Sequence, residues 1–146
     1  MFRGSSFHTI DPKGRLIVPA RFRKVLKKQD EYGVVVSNRD GCIYAFTFER
    51  WETIELKLLK SKTVSMERFK RFFLGNAAPL KCDKQDRILL PENLRTYAGI
   101  EKDVVLVGML DRFEIWSRDR WDQENIAIEQ ALQHEDMQEE VALIEL

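Results

Sequence analysis

The sequence predicts an α+β fold in which two copies of one unit pair about a pseudo-two-fold axis and complete a single β-barrel-like core flanked by helices. Three observations carry this expectation. Asp11-Pro12-Lys13-Gly14-Arg15-Leu16-Ile17-Val18-Pro19 returns 72 residues later as Asp83-Lys84-Gln85-Asp86-Arg87-Ile88-Leu89-Leu90-Pro91, with Asp, Arg, the apolar triplet and Pro in register. The match continues at an offset of 70: Val34-Val35-Val36 answers Val104-Val105-Leu106, Phe46 answers Trp116, and Arg50-Trp51 answers Arg120-Trp121. Each copy then offers only about four short strands, too few to cover a core of its own. Two copies of so long a period do not make a solenoid. The expected boundaries are residues 5–51 for the first copy, 52–76 for connecting helices, 77–120 for the second copy, and 121–146 for a C-terminal helix and acidic tail.

The elements follow from local pattern. Strands are expected at Phe7 to Ile10 and Arg15 to Val18, on either side of a turn. In Asp-Pro-Lys-Gly, Asp folds its carboxylate onto backbone N–H groups, Pro presets φ, and Gly takes the left-handed position. Lys13 then stands at the tip and Arg15 at the base. The second copy places Asp86 at the Gly14 position, which Asp tolerates better than most residues. Pro19 suits the first turn of a helix running from Ala20 to Lys28, with Phe22, Val25 and Leu26 on one face. Val34 to Ser37 and Cys42 to Phe46 read as strands around the turn Asn38-Arg39-Asp40-Gly41. Trp51, Ile54 and Leu58 share a helix face. A second helix, capped by Ser65, turns Met66, Phe69 and Phe73 inward and stops at Gly75-Asn76. The order repeats with strands at Pro79 to Cys82 and Arg87 to Leu90, a helix at Glu92 to Ala98, and strands at Val104 to Val107 and Arg112 to Trp116. A helix from Asp119 to Gln133, with Trp121, Ile128 and Leu132 inward, closes the fold. The last dozen residues are expected to be loosely held.

A net charge of zero conceals a strong asymmetry. Residues 1–75 hold 16 Lys and Arg against 8 Asp and Glu, and residues 76–146 hold the reverse. The first 28 residues carry eight basic side chains against Asp11, whereas Asp122 to Leu146 has eight acids and no base. A basic head of this kind attracts polyanions whatever the overall charge. No apolar run approaches the ~18 residues of a membrane span, and the first residues lack the apolar stretch of a signal peptide, so a cytoplasmic protein is expected. Cys42 and Cys82 have no metal-ligand spacing and read as small buried residues in a reducing compartment. His8 and His134 lie far apart, and no phosphate loop or hydrolase motif occurs, so neither metal, cofactor nor enzymatic activity is expected.

What remains is the pair of Asp-x-x-x-Arg turns. Asp11 with Arg15, and Asp83 with Arg87, either pair across their turns as surface ion pairs worth ~0–1 kcal/mol, or orient each arginine for a bidentate contact to guanine or phosphate. The surplus of Lys13, Arg21, Arg23 and Lys24 around the first copy favours nucleic acid.

These residues, with Met1-Phe2-Arg3-Gly4, Phe73-Leu74-Gly75-Asn76-Ala77 and Val107 to Trp116, resemble the MraZ family of bacterial transcriptional regulators in the AbrB-like swapped-hairpin superfamily. The resemblance spans residues 1 to about 121 and leaves the acidic tail outside. It implies two AbrB-like repeats and a repressor of its own division and cell-wall operon, bound to short G-containing direct repeats in double-stranded DNA. It also implies a nucleoid-associated, ring-shaped homo-oligomer, each subunit placing one motif against one repeat. Arg3, Lys13, Arg15, Arg21, Arg23, Lys24 and Arg87 are the expected DNA contacts, with Asp11, Gly14 and Asp83 shaping the turns. Asp86 adds negative charge beside Arg87, so the first copy is expected to carry more of the binding. The alternative is an AbrB-like interaction module such as an antitoxin. Those usually carry one such motif per chain and a long partner-binding tail, whereas here the motif is doubled and the tail short.

Overall fold

The computed structural model describes residues 1–27 and 32–146; the expected helix end at Lys28 lies outside them. In chain order the first copy comprises β1 (Ser5–Thr9), β2 (Arg15–Ile17), α1 (Ala20–Leu26), β3 (Gly33–Arg39), β4 (Cys42–Phe46) and α2 (Phe48–Lys60). The helix α3 (Val64–Phe73) leads into the second: β5 (Ala78–Lys81), β6 (Arg87–Leu89), α4 (Glu92–Ala98), β7 (Asp103–Gly108), β8 (Arg112–Ser117) and α5 (Arg118–Leu132), followed by α6 (Glu135–Ala142). The architecture is α+β.

The copies do not fold side by side; they interlock. A six-stranded antiparallel sheet runs β1-β7-β8-β4-β3-β5, and β2 pairs with β6 in a separate two-stranded ribbon. Exchanging the copies reverses the sheet order onto itself. The first strand of each copy pairs with the other copy's third, so Ser6 lies opposite Leu106 and Ala78 opposite Val36. The pseudo-dyad passes where a residue meets its own duplicate, at Tyr44 opposite Glu114 in the sheet and Leu16 opposite Ile88 in the ribbon. Neither copy has a complete sheet alone.

The sheet is covered on both faces, which is why Val34-Val35-Val36 lacks polar alternation. One face turns Val34, Val36, Ile43, Leu106, Phe113 and Ile115 towards the inner side chains of the ribbon and towards α1 and α4. The other turns Val35, Tyr44, Phe46, Val105 and Trp116 towards Trp51 and Leu58 of α2 and Phe73 of α3. Trp51 and Trp116 are core residues. Thr47 and Ser117 cap α2 and α5 by accepting from Arg50 N and Arg120 N at 3.1 Å. Thr63, not Ser65, caps α3, because its hydroxyl stands three residues before the free Met66 N–H and accepts from it at 3.2 Å.

Two expectations about the C-terminus need correction. Ile128 and Leu132 do not face the core but remain 37% and 48% exposed, because α5 has only its first turns over the sheet, where Trp121 packs on Trp116. The last dozen residues are not loose throughout, since Glu135 to Ala142 form α6.

The N-terminal segment is locked by a close backbone approach. Phe2 exchanges backbone hydrogen bonds with Leu110 at 2.9 and 2.8 Å, and Gly108 N donates to Gly4 O at 2.8 Å. This seats the Phe2 ring 5.3 Å from Phe22 and 5.1 Å from Phe113. A Cβ on Gly108 would lie 2.4 Å from Arg3 N, so only glycine admits the segment. Phe2→Ala is expected to cost ~3–5 kcal/mol in urea unfolding. Gly108→Val is expected to destabilise by displacing the same segment, so the double variant should be markedly sub-additive.

Candidate nucleic-acid interface

Each turn builds its arginine the same way. Gly14 N donates to Asp11 O at 2.9 Å, and Asp86 N to Asp83 O at 3.0 Å, which closes a four-residue β-turn in both copies. Gly14 at φ 90° and Asp86 at φ 62° then occupy the left-handed region. Asp11 Oδ1 accepts from the backbone of Lys13 at 3.0 Å and of Arg15 at 2.9 Å, and Asp11 Oδ2 takes Arg15 Nε at 2.5 Å. Asp83 repeats the set with Gln85 N, Arg87 N and Arg87 Nε, each at 2.9 Å. The backbone N–H of Arg15 and that of Arg87, more than the arginine side chains, hold these two carboxyls below the usual range.

The ion pair across each turn is present in both copies. The aspartate pairs across the turn and, in doing so, uses only Nε. The terminal nitrogens of Arg15 and Arg87 carry no hydrogen bond to the described residues. That edge retains the two parallel N–H groups needed for a bidentate acceptor.

The ribbon brings the two arginines together. Its pleat sends Leu16, Val18, Ile88 and Leu90 into the core and leaves Arg15, Ile17, Arg87 and Leu89 outward. Arg15 lies opposite Leu89 and Arg87 opposite Ile17, which makes the arginines diagonal neighbours, about 7–8 Å apart at the backbone. The two turns lie at opposite ends of the ribbon, with Lys13 and Lys84 exposed.

The surrounding bases are distributed differently from their order in the chain. Because the copies interlock, α1 of the first copy abuts the turn of the second. Asp86 accepts from Tyr32 Oη at 2.6 Å and lies 3.6 Å from Arg23 Nε and 3.9 Å from Lys27 Nζ. Burial, then this hydrogen bond, pushes the Tyr32 phenol upward. Asp86 is thus partnered by Tyr32, Arg23 and Lys27, and among the described residues it forms no ion pair with Arg87. Arg23 also donates to Val18 O at 3.0 Å and braces the fold. Its duplicate Arg95 donates to Leu90 O at 3.0 Å and lies where a Gly14 side chain would point, 2.8 Å from an added Cβ. Arg21 is likewise engaged, with Arg3 O at 3.1 Å and Ser6 Oγ at 2.9 Å. Arg3 and Lys24 are exposed. Sequence reasoning missed Tyr32 and Lys27 as partners of Asp86; the signal available was the duplication itself, since interlocked copies place each turn against the other copy's helix.

Among the described residues no group of His, Cys, Asp and Glu is placed to hold a metal, and no helix is long and apolar enough to cross a membrane. The family model described as "MraZ protein, putative antitoxin-like" matches twice, over residues 1–72 and 73–142. Proteins named Transcriptional regulator MraZ are similar along the chain: that of Desulforapulum autotrophicum is 57% identical over 146 residues, all of both chains. That of Desulfosudis oleivorans is 43% identical over 143 residues, 97% of each, and that of Clostridium botulinum 46% over 123 residues, 83% of this chain and 84% of its own. The likeness extends beyond residue 121 and takes in most of the acidic tail.

Two outcomes follow from the turn geometry. Because both turn aspartates have lowered pKa values, their stabilisation is present above the ordinary range near ~3.9 and is lost only as pH falls through the lowered values. Carboxyl titration by NMR should find Asp11 and Asp83 titrating below that range. Asp86→Ala should lose ~1–2 kcal/mol in urea unfolding, from the Tyr32 hydrogen bond and the left-handed backbone, with the Asp83–Arg87 pair intact.

Proposed function

We propose, since this chain belongs to the MraZ family and presents two Asp-held arginines on one exposed ribbon face, that it is a sequence-specific DNA-binding transcriptional regulator. The observation that carries the reading is the pair Arg15 and Arg87, each with Nε committed to its turn aspartate and its terminal nitrogens not hydrogen-bonded to any of the described residues. A two-stranded ribbon is narrow enough for the major groove, where arginine recognises guanine O6 and N7 through two parallel hydrogen bonds. Lys13, Lys84, Arg3 and Lys24 supply phosphate contacts. Arg21 and Arg23 position backbone rather than DNA. Both motifs of one subunit face a single stretch of duplex. The working units are two AbrB-like repeats, residues 5–51 and 77–120, joined by residues 52–76, with sheet and ribbon as the walls of one barrel-like core.

In this reading the target is a set of short G-containing direct repeats upstream of the protein's own division and cell-wall operon, which it represses. A ring-shaped homo-oligomer in the cytoplasm, associated with the nucleoid, engages several repeats at once. The family description also favours a second reading, an antitoxin-like module that covers a protein partner. The doubled turn motif in one chain supports the regulator.

The test is operator titration with Arg15→Ala and Arg87→Ala. Each loses a contact worth about 1–3 kcal/mol per subunit, and simultaneous engagement multiplies the loss. The two variants should be comparably impaired, in contrast to the order expected from sequence. Near-normal operator retention by both folded variants would overturn the reading. Wild-type affinity should also fall with salt at a log–log slope of about −0.9 per phosphate neutralised.

A further inference from the structure

Between its two arginines the outer face of the ribbon carries two aliphatic side chains. Ile17 and Leu89 point away from the core and are 53% and 55% exposed, at positions where the pleat places no demand for an apolar residue. They are duplicates of one another, 72 residues apart, so both copies hold a bare aliphatic at the same outward position. Single exposed aliphatics are ordinary on a protein surface. These two are set apart by their neighbours. Leu89 lies directly opposite Arg15, and Ile17 directly opposite Arg87. The four outward residues therefore form a checkerboard of two guanidinium groups and two aliphatic groups.

The spacing of the checkerboard matches that of stacked bases. Side chains directly opposite across an antiparallel pair have Cβ atoms about 4.5–5.5 Å apart, and successive base pairs rise by about 3.4 Å. An aliphatic tip thus stands within a base step or two of whatever its neighbouring arginine reaches. In the major groove guanine presents the acceptors O6 and N7, and thymine presents its C5-methyl group. A face that alternates guanidinium with aliphatic is complementary to an edge that alternates those groups. Phosphates offer an aliphatic tip no comparable contact. Ile17 is also well suited to a fixed apolar contact, because its β-branch restricts χ1 and little rotamer freedom remains to be lost.

We propose that Ile17 and Leu89 read thymine, each packing on the C5-methyl of a thymine beside the guanine taken by the arginine opposite it. The arginines set the preference for guanine, and the aliphatics decide which guanines are accepted by their neighbour. The inference rests on DNA binding through the ribbon face and adds a second base to what that face recognises.

The experiment first uses the full chain to recover a preferred duplex from a randomised double-stranded pool. Each thymine of that duplex is then replaced in turn by uracil, which keeps every hydrogen-bonding group and removes only the methyl. Wild-type affinity is expected to fall about three- to five-fold at thymines beside a preferred guanine, the worth of one buried methyl group. Ile17→Ala and Leu89→Ala should each lose a similar factor on the thymine duplex and become indifferent to uracil at one class of those positions, with the guanine preference retained. The uracil scan on the wild type stands even if a variant folds poorly. A pool from which no sequence is enriched would remove the DNA-binding reading and this inference together. A wild type that selects guanine yet binds thymine and uracil duplexes alike would overturn the inference alone, as would folded variants that still discriminate thymine from uracil as the wild type does.

Discussion

The pairing of β2 with β6 is the constraint on which the rest of the molecule depends. Three residues from each copy form the ribbon, and its inner side chains, Leu16 and Ile88, are wholly buried where the pseudo-dyad crosses. An isolated two-stranded ribbon is marginal in water; this one is held because its inner face closes the core against the sheet. The same pleat that drives those two residues inward forces Arg15 and Arg87 outward. Core packing and the basic face are therefore two sides of one object. A one-residue slip in register would bury the arginines and expose Leu16 and Ile88.

Interlocking also decides the electrostatics of the turns. A chain-order view assigns Arg23 and Lys27 to the first motif, because they follow it. In the fold they belong to the second, where they and Tyr32 take up the charge of Asp86. In the first copy Gly14 leaves that place to Arg95. The two turns thus differ in sequence yet present their arginines in matched geometry.

Much of this was legible in the sequence. The duplicated Asp-x-x-x-Arg-apolar-Pro motif, the turn residues and the apolar strand runs specify local structure with short-range physics, and most elements lie within a residue or two of where those signals put them. The cross-pairing of copies was not legible, because it is a choice between chemically similar strands made by the shared core. The duplication signals that each turn meets the other copy, but not that Tyr32, 54 residues distant, is the partner of Asp86. The helical spacing of Trp121, Ile128 and Leu132 was read correctly as a stripe. Periodicity cannot say, however, whether a stripe meets the molecule's own core, and here only Trp121 does.

In the proposed DNA-binding role, the outer ribbon face, and no other layer, meets DNA. Placing a photo-crosslinking amino acid at Ile17, between the two arginines, and separately at Leu56, on the opposite side of the sheet, tests it most directly. Both side chains are exposed, at 53% and 61%, so neither substitution disturbs the core. On irradiation with operator duplex, position 17 is expected to crosslink to DNA and position 56 is not. Crosslinking from position 56 with none from position 17 would contradict the account.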